Sequence, residues 1–373
     1  MTYNKFNLLP DKNLYYPNLN NQGEKISLHL NENAYPPPKE CMDLSDTLSG
    51  LNLQVYERNG TAPLESRLAR LHELSNDQIL IDNGSCEVLK NIFLALTNKG
   101  DTVLYPANGW AYYQKIAILH ELCVRHYELI CDEADRKFNF DIPAMKKLIL
   151  ETSPAAILIV SPNAFTGNLI NSSELCEILD VCRGKTMVIV DQAYTEFSYH
   201  DDIQMASIIR TYDNIIFTRT LSKFYALANL RIGYAVANKS LIEYIGHFAA
   251  VFGTSGICQA IACKALENPD HYQRTKLLND RVKRHFIARV NTLHNFVAYN
   301  SESNFVLMKL SGIAPDKFLK TVSDEGIIIA SGRNYGLPQH VRVTIGDEAC
   351  MERLFQVMVL IDRESISPEP FAL

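Results

Sequence analysis

From about Gln78 onward, short runs of apolar residues alternate with longer amphipathic stretches, and this alternation restricts the fold more than any other property of the chain. Gln78 to Asp82 (QILID) reads as a strand that stops at Asn83-Gly84, and Ser85 to Thr97 (SCEVLKNIFLALT) reads as a helix opening on a serine. The unit recurs. Thr102 to Tyr105 precedes a helix from about Ala111, Ala155 to Val160 (AAILIV) precedes one from about Ser172, and Thr186 to Asp191 (TMVIVD) follows. Further strands are expected at Asn214 to Thr218 and Ile232 to Ala237. Continuously apolar strands separated by helices predict an α/β fold with a mostly parallel sheet covered on both faces. In such sheets ligands gather beyond the C-terminal strand ends, so the residues just after each apolar run carry the functional weight.

The character changes after Leu241. Helical periodicity dominates to about Asn295, including a charged stretch from Tyr272 to Asn291. Beyond it, Asn304 to Leu310, Gly326 to Ser331 and Val341 to Thr344 predict a small sheet, with helices at Ala314 to Asp324 and Asp347 to Ile361. This is a second, smaller α+β domain. The expected division is an N-terminal arm over 1–44 that contributes to the small domain, a large domain over 45–265, and a small domain over 266–373. A length of 373 residues with 47% apolar side chains supports two cores.

Composition then removes several functions. With 36 Lys and Arg against 42 Asp and Glu, the net charge of −6 argues against a nucleic-acid partner. No run of about 18 apolar residues occurs, so neither export nor membrane insertion is expected and the predicted location is the cytoplasm. The nine cysteines lack a C-x-x-C pair and the ten histidines lack i,i+4 spacing, which predicts reduced thiols and no metal site. No G-x-G-x-x-G follows a strand and no G-x-x-x-x-G-K-[ST] is present, so the usual nicotinamide and nucleoside-triphosphate sites are not expected.

Another constellation is present. Arg219 to Tyr234 (RTLSKFYALANLRIGY) follows the strand NIIFT with hydroxyls, one lysine, apolar residues and an arginine. Asp191 closes a buried strand, where a carboxylate is costly unless paired. Asn83-Gly84-Ser85-Cys86 opens a helix whose first amides can hold an anion. Arg342 sits inside an apolar strand (VRVTIG) and needs an anion of its own.

The segment from Thr220 resembles the cofactor-lysine motif T-L-S-K-x-x-x-L-x-x-L-R-x-G-Y of the fold-type I pyridoxal phosphate enzymes, most closely the histidinol-phosphate aminotransferase branch of the class I/II aminotransferases. The stretch Val190 to Phe197 (VDQAYTEF) resembles the same family's V-D-E-A-Y-x-E-F, with Gln192 at the usual Glu. The resemblance implies a mostly parallel seven-stranded sheet in the large domain and pyridoxal 5'-phosphate as cofactor. It assigns Lys223 as the Schiff-base residue and proton shuttle, Asp191 as partner of the pyridine nitrogen, and Tyr194 as donor to the ring's phenolic oxygen. Thr220, Ser222, Arg231 and the amides of Ser85 and Cys86 would bind the phosphate. A desolvated lysine beside cations keeps a depressed pKa, as Schiff-base chemistry requires.

The remaining carry-over is shorter. Trp110, the single tryptophan, is the expected stacking residue on the ring, with Tyr113 next. Tyr56 occupies the R-Y-P-D region, where a tyrosine reaches the phosphate of the neighbouring subunit, which implies a homodimer with shared active sites. Tyr35, in His29 to Pro36 (HLNENAYP), is a candidate substrate contact, and Arg342 would grip the substrate's anionic end.

Three departures stand out. Ser161 to Asn168 reads SPNAFTGN where the family has S-P-N-N-P-T-G-N, so Ala164 and Phe165 replace an Asn donor and a Pro. Either Asn163 takes over as donor to the phenolic oxygen, or Tyr194 acts alone. The family's V-R-D becomes Ile329-Ala330-Ser331, leaving Arg333 three residues on as the candidate for a distal anion, and P-Y-N becomes Val251 to Ser255. These changes touch substrate recognition more than cofactor binding and point away from histidinol phosphate. The expected function is an aminotransferase between an amino acid or small phosphorylated amine and a 2-oxo acid, in a specialised biosynthetic branch of amino-acid metabolism. A decarboxylase similar to threonine-phosphate decarboxylase is the alternative within the fold, and a non-catalytic cofactor-binding protein a remote one.

Overall fold

The computed structural model describes residues 25–49, 52–57 and 60–366. Along the chain the strands are β1 (Ile26–Leu28), β2 (Ile79–Asn83), β3 (Thr102–Pro106), β4 (Cys123–Tyr127), β5 (Leu129–Asp132), β6 (Lys137–Phe140) and β7 (Ala156–Val160). They continue with β8 (Met187–Asp191), β9 (Ile215–Thr220), β10 (Ile232–Val236), β11 (Phe296–Ala298), β12 (Phe305–Leu310), β13 (Ile327–Ser331) and β14 (His340–Thr344).

Seven of these form one sheet in the spatial order β2-β10-β9-β8-β7-β3-β4. All its pairings are parallel except those of β10, which runs antiparallel to both β2 and β9. The pleat sends alternate residues to opposite faces. Ile157 and Ile159 of β7 join one apolar core, with Val188, Val190 and Phe217, while Ala156, Leu158 and Val160 join the other, with Ile189 and Ile216. Burial of both faces is why these strands read as unbroken apolar runs. The edge strand β4 does not: Cys123, Arg125 and His126 are exposed, and no apolar run marks it.

The second sheet has the order β1-β13-β14-β12-β11, and β1 of the N-terminal arm lies parallel to β13. One face buries Val306, Met308, Val341 and Val343 against the helices Pro269–Val290 and Glu348–Ile366. In β14, Arg342 lies between Val341 and Val343 and so projects from the opposite face, beside its register partners Leu307 and Ala330. That face meets the large sheet: Phe305 packs with Tyr194, and Leu307 with Phe165. The helix Pro269–Val290 spans both units, with Tyr272 in the large core and Val282, Phe286 and Val290 in the small one. Among the described residues, no helix is long and apolar enough to cross a membrane, and no cluster of His, Cys, Asp and Glu could hold a metal ion.

Candidate active site

The C-terminal ends of β2, β3, β8 and β9 open onto one cavity of about 550 Å³, closed on its far side by the arm after β1 and by β14. Ser85, Cys86, Trp110, Tyr113, Asp191, Tyr194, Thr220, Ser222, Lys223, Arg231 and Arg342 line it together, although they span more than 250 positions in sequence. The sheet brings them to one edge.

At one end the helix Gly84–Leu96 starts without a side-chain cap, so its first amides are not closed off by Asn83. That start lies against β10 because position 233 is a glycine: a Cβ there would come within 2.1 Å of the Ser85 amide nitrogen. Gly84, with φ of 78°, makes room for Arg231, whose Nη2 would be 2.6 Å from an added Cβ. Arg231 donates to Ala228 O at 2.8 Å and to Ser222 Oγ at 3.3 Å, and Thr220 Oγ1 accepts from the Ser222 amide at 3.1 Å. Uncapped amides, two hydroxyls and a guanidinium make a cup for a dianion.

Lys223 follows β9, and its amine donates to Leu30 O of the arm at 2.7 Å. Burial lowers its pKa to about 8, helped by Arg342 and Arg231 and opposed by Glu32. Asp191, 3% exposed at the end of β8, accepts from Tyr113 Oη on Oδ2 at 2.8 Å, while Oδ1 is buried with no partner. Burial pushes its pKa up to about 6. A buried carboxylate oxygen left open is a receptor for a cationic N–H. Trp110 lines the same space, edge-on to Tyr113 with ring centroids 5.9 Å apart. These groups match what pyridoxal phosphate presents: a dianion, a protonated ring nitrogen, a flat ring and an aldehyde.

The amino-acid sequence agrees with the geometry. The profile of the aminotransferase class I and II family matches residues 23–358. The chain belongs to the class I and II aminotransferases. It is similar to a histidinol-phosphate aminotransferase of Thermoanaerobacter pseudethanolicus, 30% identical over 332 residues and covering 86% of this chain and 88% of that one. In fold it is similar to the histidinol-phosphate aminotransferase of Sinorhizobium meliloti in complex with pyridoxal 5'-phosphate, with a TM-score of 0.82, 20% identity and 91% of each chain covered. It also resembles the L-threonine-O-3-phosphate decarboxylase of Porphyromonas gingivalis, with a TM-score of 0.75 and 22% identity over 90% of this chain and 99% of that one. This aminotransferase is therefore a pyridoxal phosphate enzyme of fold type I.

Not every residue expected at the site of the aminotransferase lies there. Arg333 is exposed and paired with Asp316 at 2.7 Å, so its charge is turned away from the cavity, which Asn334 and Tyr335 line instead. Tyr35 stands near Asp347, Arg281 and Glu348, outside the cavity. Tyr56, expected at a neighbouring subunit's site, is 73% exposed and stacks on Phe252 at a centroid distance of 4.2 Å, beside a separate hollow. Asn163 is buried and does not line the cavity; its side-chain oxygen accepts from the Phe165 and Thr166 amides at 2.9 and 3.1 Å, and its Nδ2 is buried without a partner. Ala164 contributes only its carbonyl, which accepts from Arg342 Nη1 at 2.7 Å. Ser161-Pro162 is a cis peptide. Tyr113 proves to be a partner of Asp191 rather than a stacking face, because its hydroxyl is turned to the carboxylate. Asn31 and His29 lie in the stretch HLNENAYP, which pointed to Tyr35 instead, and Phe165 lies in the SPNAFTGN loop after β7; Tyr335 had no local signal and reaches the site through the second sheet.

Proposed function

We propose that this aminotransferase moves an amino group between an amino acid or small phosphorylated amine and a 2-oxo acid, with the donor's anionic end on Arg342. The supporting observation is the state of that guanidinium. Nη1 and Nη2 give to Ala164 O and His29 O, both at 2.7 Å, while Nε is buried and unpartnered, and no described carboxylate pairs with it. It lies over Phe165, Phe305 and Tyr335 at 5.5, 5.3 and 5.9 Å from the ring centres, an enclosed setting in which a charge calls for a counter-ion.

When bound, pyridoxal phosphate supplies an aldehyde and a cationic ring that withdraws electron density from the substrate's α-carbon. The chain does the rest. Ser85, Cys86, Thr220, Ser222 and Arg231 hold the phosphate, Asp191 keeps the ring nitrogen protonated, Trp110 fixes the ring plane, and Tyr194 donates to its phenolic oxygen. Lys223, whose amine titrates close to neutrality, carries the proton from the α-carbon and returns it to the cofactor side. Arg342 orients the donor and then the 2-oxo acid that replaces it.

Candidate donors, including histidinol phosphate and neutral and aromatic amino acids, can be mixed with 2-oxoglutarate and followed by mass spectrometry. Glutamate without carbon dioxide is expected; carbon dioxide without glutamate would make the enzyme a decarboxylase. Arg342→Ala should raise KM by about 10- to 100-fold with a smaller change in kcat, the value of a charge-assisted hydrogen-bonded pair. An unchanged KM would place the anion elsewhere.

The reading extends to assembly. Leu53, Val55, Tyr56 and Phe252 are all exposed and gather around one hollow, an apolar surface suited to a second copy of the chain. We place the arm at 1–44, the large domain at 45–265 and the small domain at 266–373 in each protomer of a cytoplasmic homodimer, with Tyr56 reaching its neighbour's phosphate cup. Sedimentation should give a dimer, and a fully active monomer would remove Tyr56 from the site.

A further inference from the structure

Asn31 follows β1, is 1% exposed, and adopts φ of 54°, a left-handed conformation that Asn tolerates. Its hydrogen bonds can be followed atom by atom. The Asn31 amide N–H donates to Thr344 Oγ1 at 3.0 Å. The Thr344 hydroxyl in turn gives its single hydrogen to Asn31 Oδ1, at 3.1 Å. With Oδ1 accepting from Thr344, Nδ2 is the group that faces Tyr194 Oη, at 3.0 Å. Asn304 Nδ2 holds the Asn31 carbonyl at 3.1 Å, which locks the turn. An amide nitrogen has only hydrogens to give. Tyr194 Oη must accept from it, and the hydroxyl's own hydrogen is left for another acceptor in the cavity. The ring is fixed by Phe305, edge-on at 5.3 Å.

We propose that Asn31 is a positioning residue that turns the Tyr194 hydroxyl into a one-way donor to the phenolic oxygen of bound pyridoxal phosphate, standing in for the donor that Ala164 lacks. The inference rests on Lys223 and Tyr194 being the cofactor residues. Its effect should be read against Arg342, Asp191 and Tyr335, the charged and titratable groups that face Tyr194 from the neighbouring elements and that remain in place in the variants below.

A hydrogen donated to the phenolic oxygen stabilises negative charge there, and does so most when the Lys223 nitrogen beside it is unprotonated. Weakening the donor therefore raises the pH at which the visible band of the loaded enzyme converts. Asn31→Gly keeps the left-handed backbone and removes the side chain. Asn31→Asp keeps the shape and replaces the donor by an acceptor, which would draw the Tyr194 hydrogen to itself. Both should raise the midpoint by about one pH unit, the size of one hydrogen bond. Tyr194→Phe should raise it as well, and adding Asn31→Gly to Tyr194→Phe should give no further shift. Quenching of Trp110, the single tryptophan, reports cofactor affinity independently of turnover and should weaken several-fold in Asn31→Gly. A wild-type midpoint in both Asn31 variants, or the same shift persisting in the Tyr194→Phe background, would overturn the proposal. A wild-type enzyme with no visible band at all would instead overturn the assignment of Lys223.

Discussion

Lys223→Ala is expected to abolish the visible absorbance of the loaded enzyme and to lower turnover by at least about 10⁴-fold, the upper end of what a positioned proton-transfer group contributes. The size follows from two roles lost together, covalent attachment and proton transfer. The phosphate cup is separate from the lysine: Arg231, Ser222 and Thr220 hold one another through their own hydrogen bonds, so the variant should still bind pyridoxal phosphate non-covalently. A variant that keeps the band, or more than a hundredth of the rate, would mean another amine does the work. The depressed pKa gives this prediction a pH arm. An amine titrating near 8 is half neutral there, whereas an ordinary lysine, near 10.5, is almost wholly protonated. Reconstitution of cofactor-free protein should accelerate up to about pH 8 and then level off. A rate still climbing past pH 10 would indicate an unperturbed lysine.

What the sequence could show depended on how local each signal was. Strands buried on both faces announced themselves: every position of Ala156–Val160 is apolar, as is every position of Met187–Asp191 before the terminal Asp191. The loop that follows β9 was equally legible, since Thr220, Ser222, Lys223 and Arg231 lie within twelve residues and the strand end alone places them. The edge strand β4 and the hairpin β5–β6 were not, because they are short and mix polar with apolar residues, so the pattern is diluted. The same reasoning separates the site's two halves. Cofactor residues come from consecutive strand ends of one sheet, whereas the substrate side is assembled where β14 and the arm meet that sheet. Arg342 could be found because charge in an apolar strand is conspicuous. Asn31 sits in the stretch HLNENAYP, where the sequence draws the eye to Tyr35, and Tyr335 looks like any other loop residue; only the tertiary contact gives either its meaning. Arg333 was the converse case, a cation at nearly the right place in sequence whose partner, Asp316, lies on the outer surface.

Asp191→Asn should move two measurements in opposite directions. In cofactor-free protein, burial raises the Asp191 pKa from its ordinary 3.8 to about 6. Between those values the folded chain keeps a proton that the unfolded chain has released, so this group's contribution to stability falls as pH rises through that window. Above pH 6 the whole cost of burying the charge is felt, on the order of 3 kcal/mol for a shift of this size. Replacing the carboxylate by a neutral amide of the same shape removes that cost, and the cofactor-free variant should melt a few degrees higher than wild type at pH 7.5, with the gain shrinking toward pH 4. Cofactor binding should respond the other way. Oδ1, the oxygen left open in the folded chain, is the group that would pair with the ring's N–H, and losing one side of such a buried charged pair costs about 2–5 kcal/mol. Affinity read from Trp110 quenching should drop by roughly 30-fold or more by the same figure, and turnover with it, since a ring that is no longer held cationic withdraws fewer electrons. A variant that melts lower and binds normally would mean that Tyr113 already satisfies the carboxylate and that Asp191 serves the fold. The expected pattern, a stabler protein that is a poorer enzyme, would mean that the strain of an unpaired buried charge is kept for the cofactor to relieve.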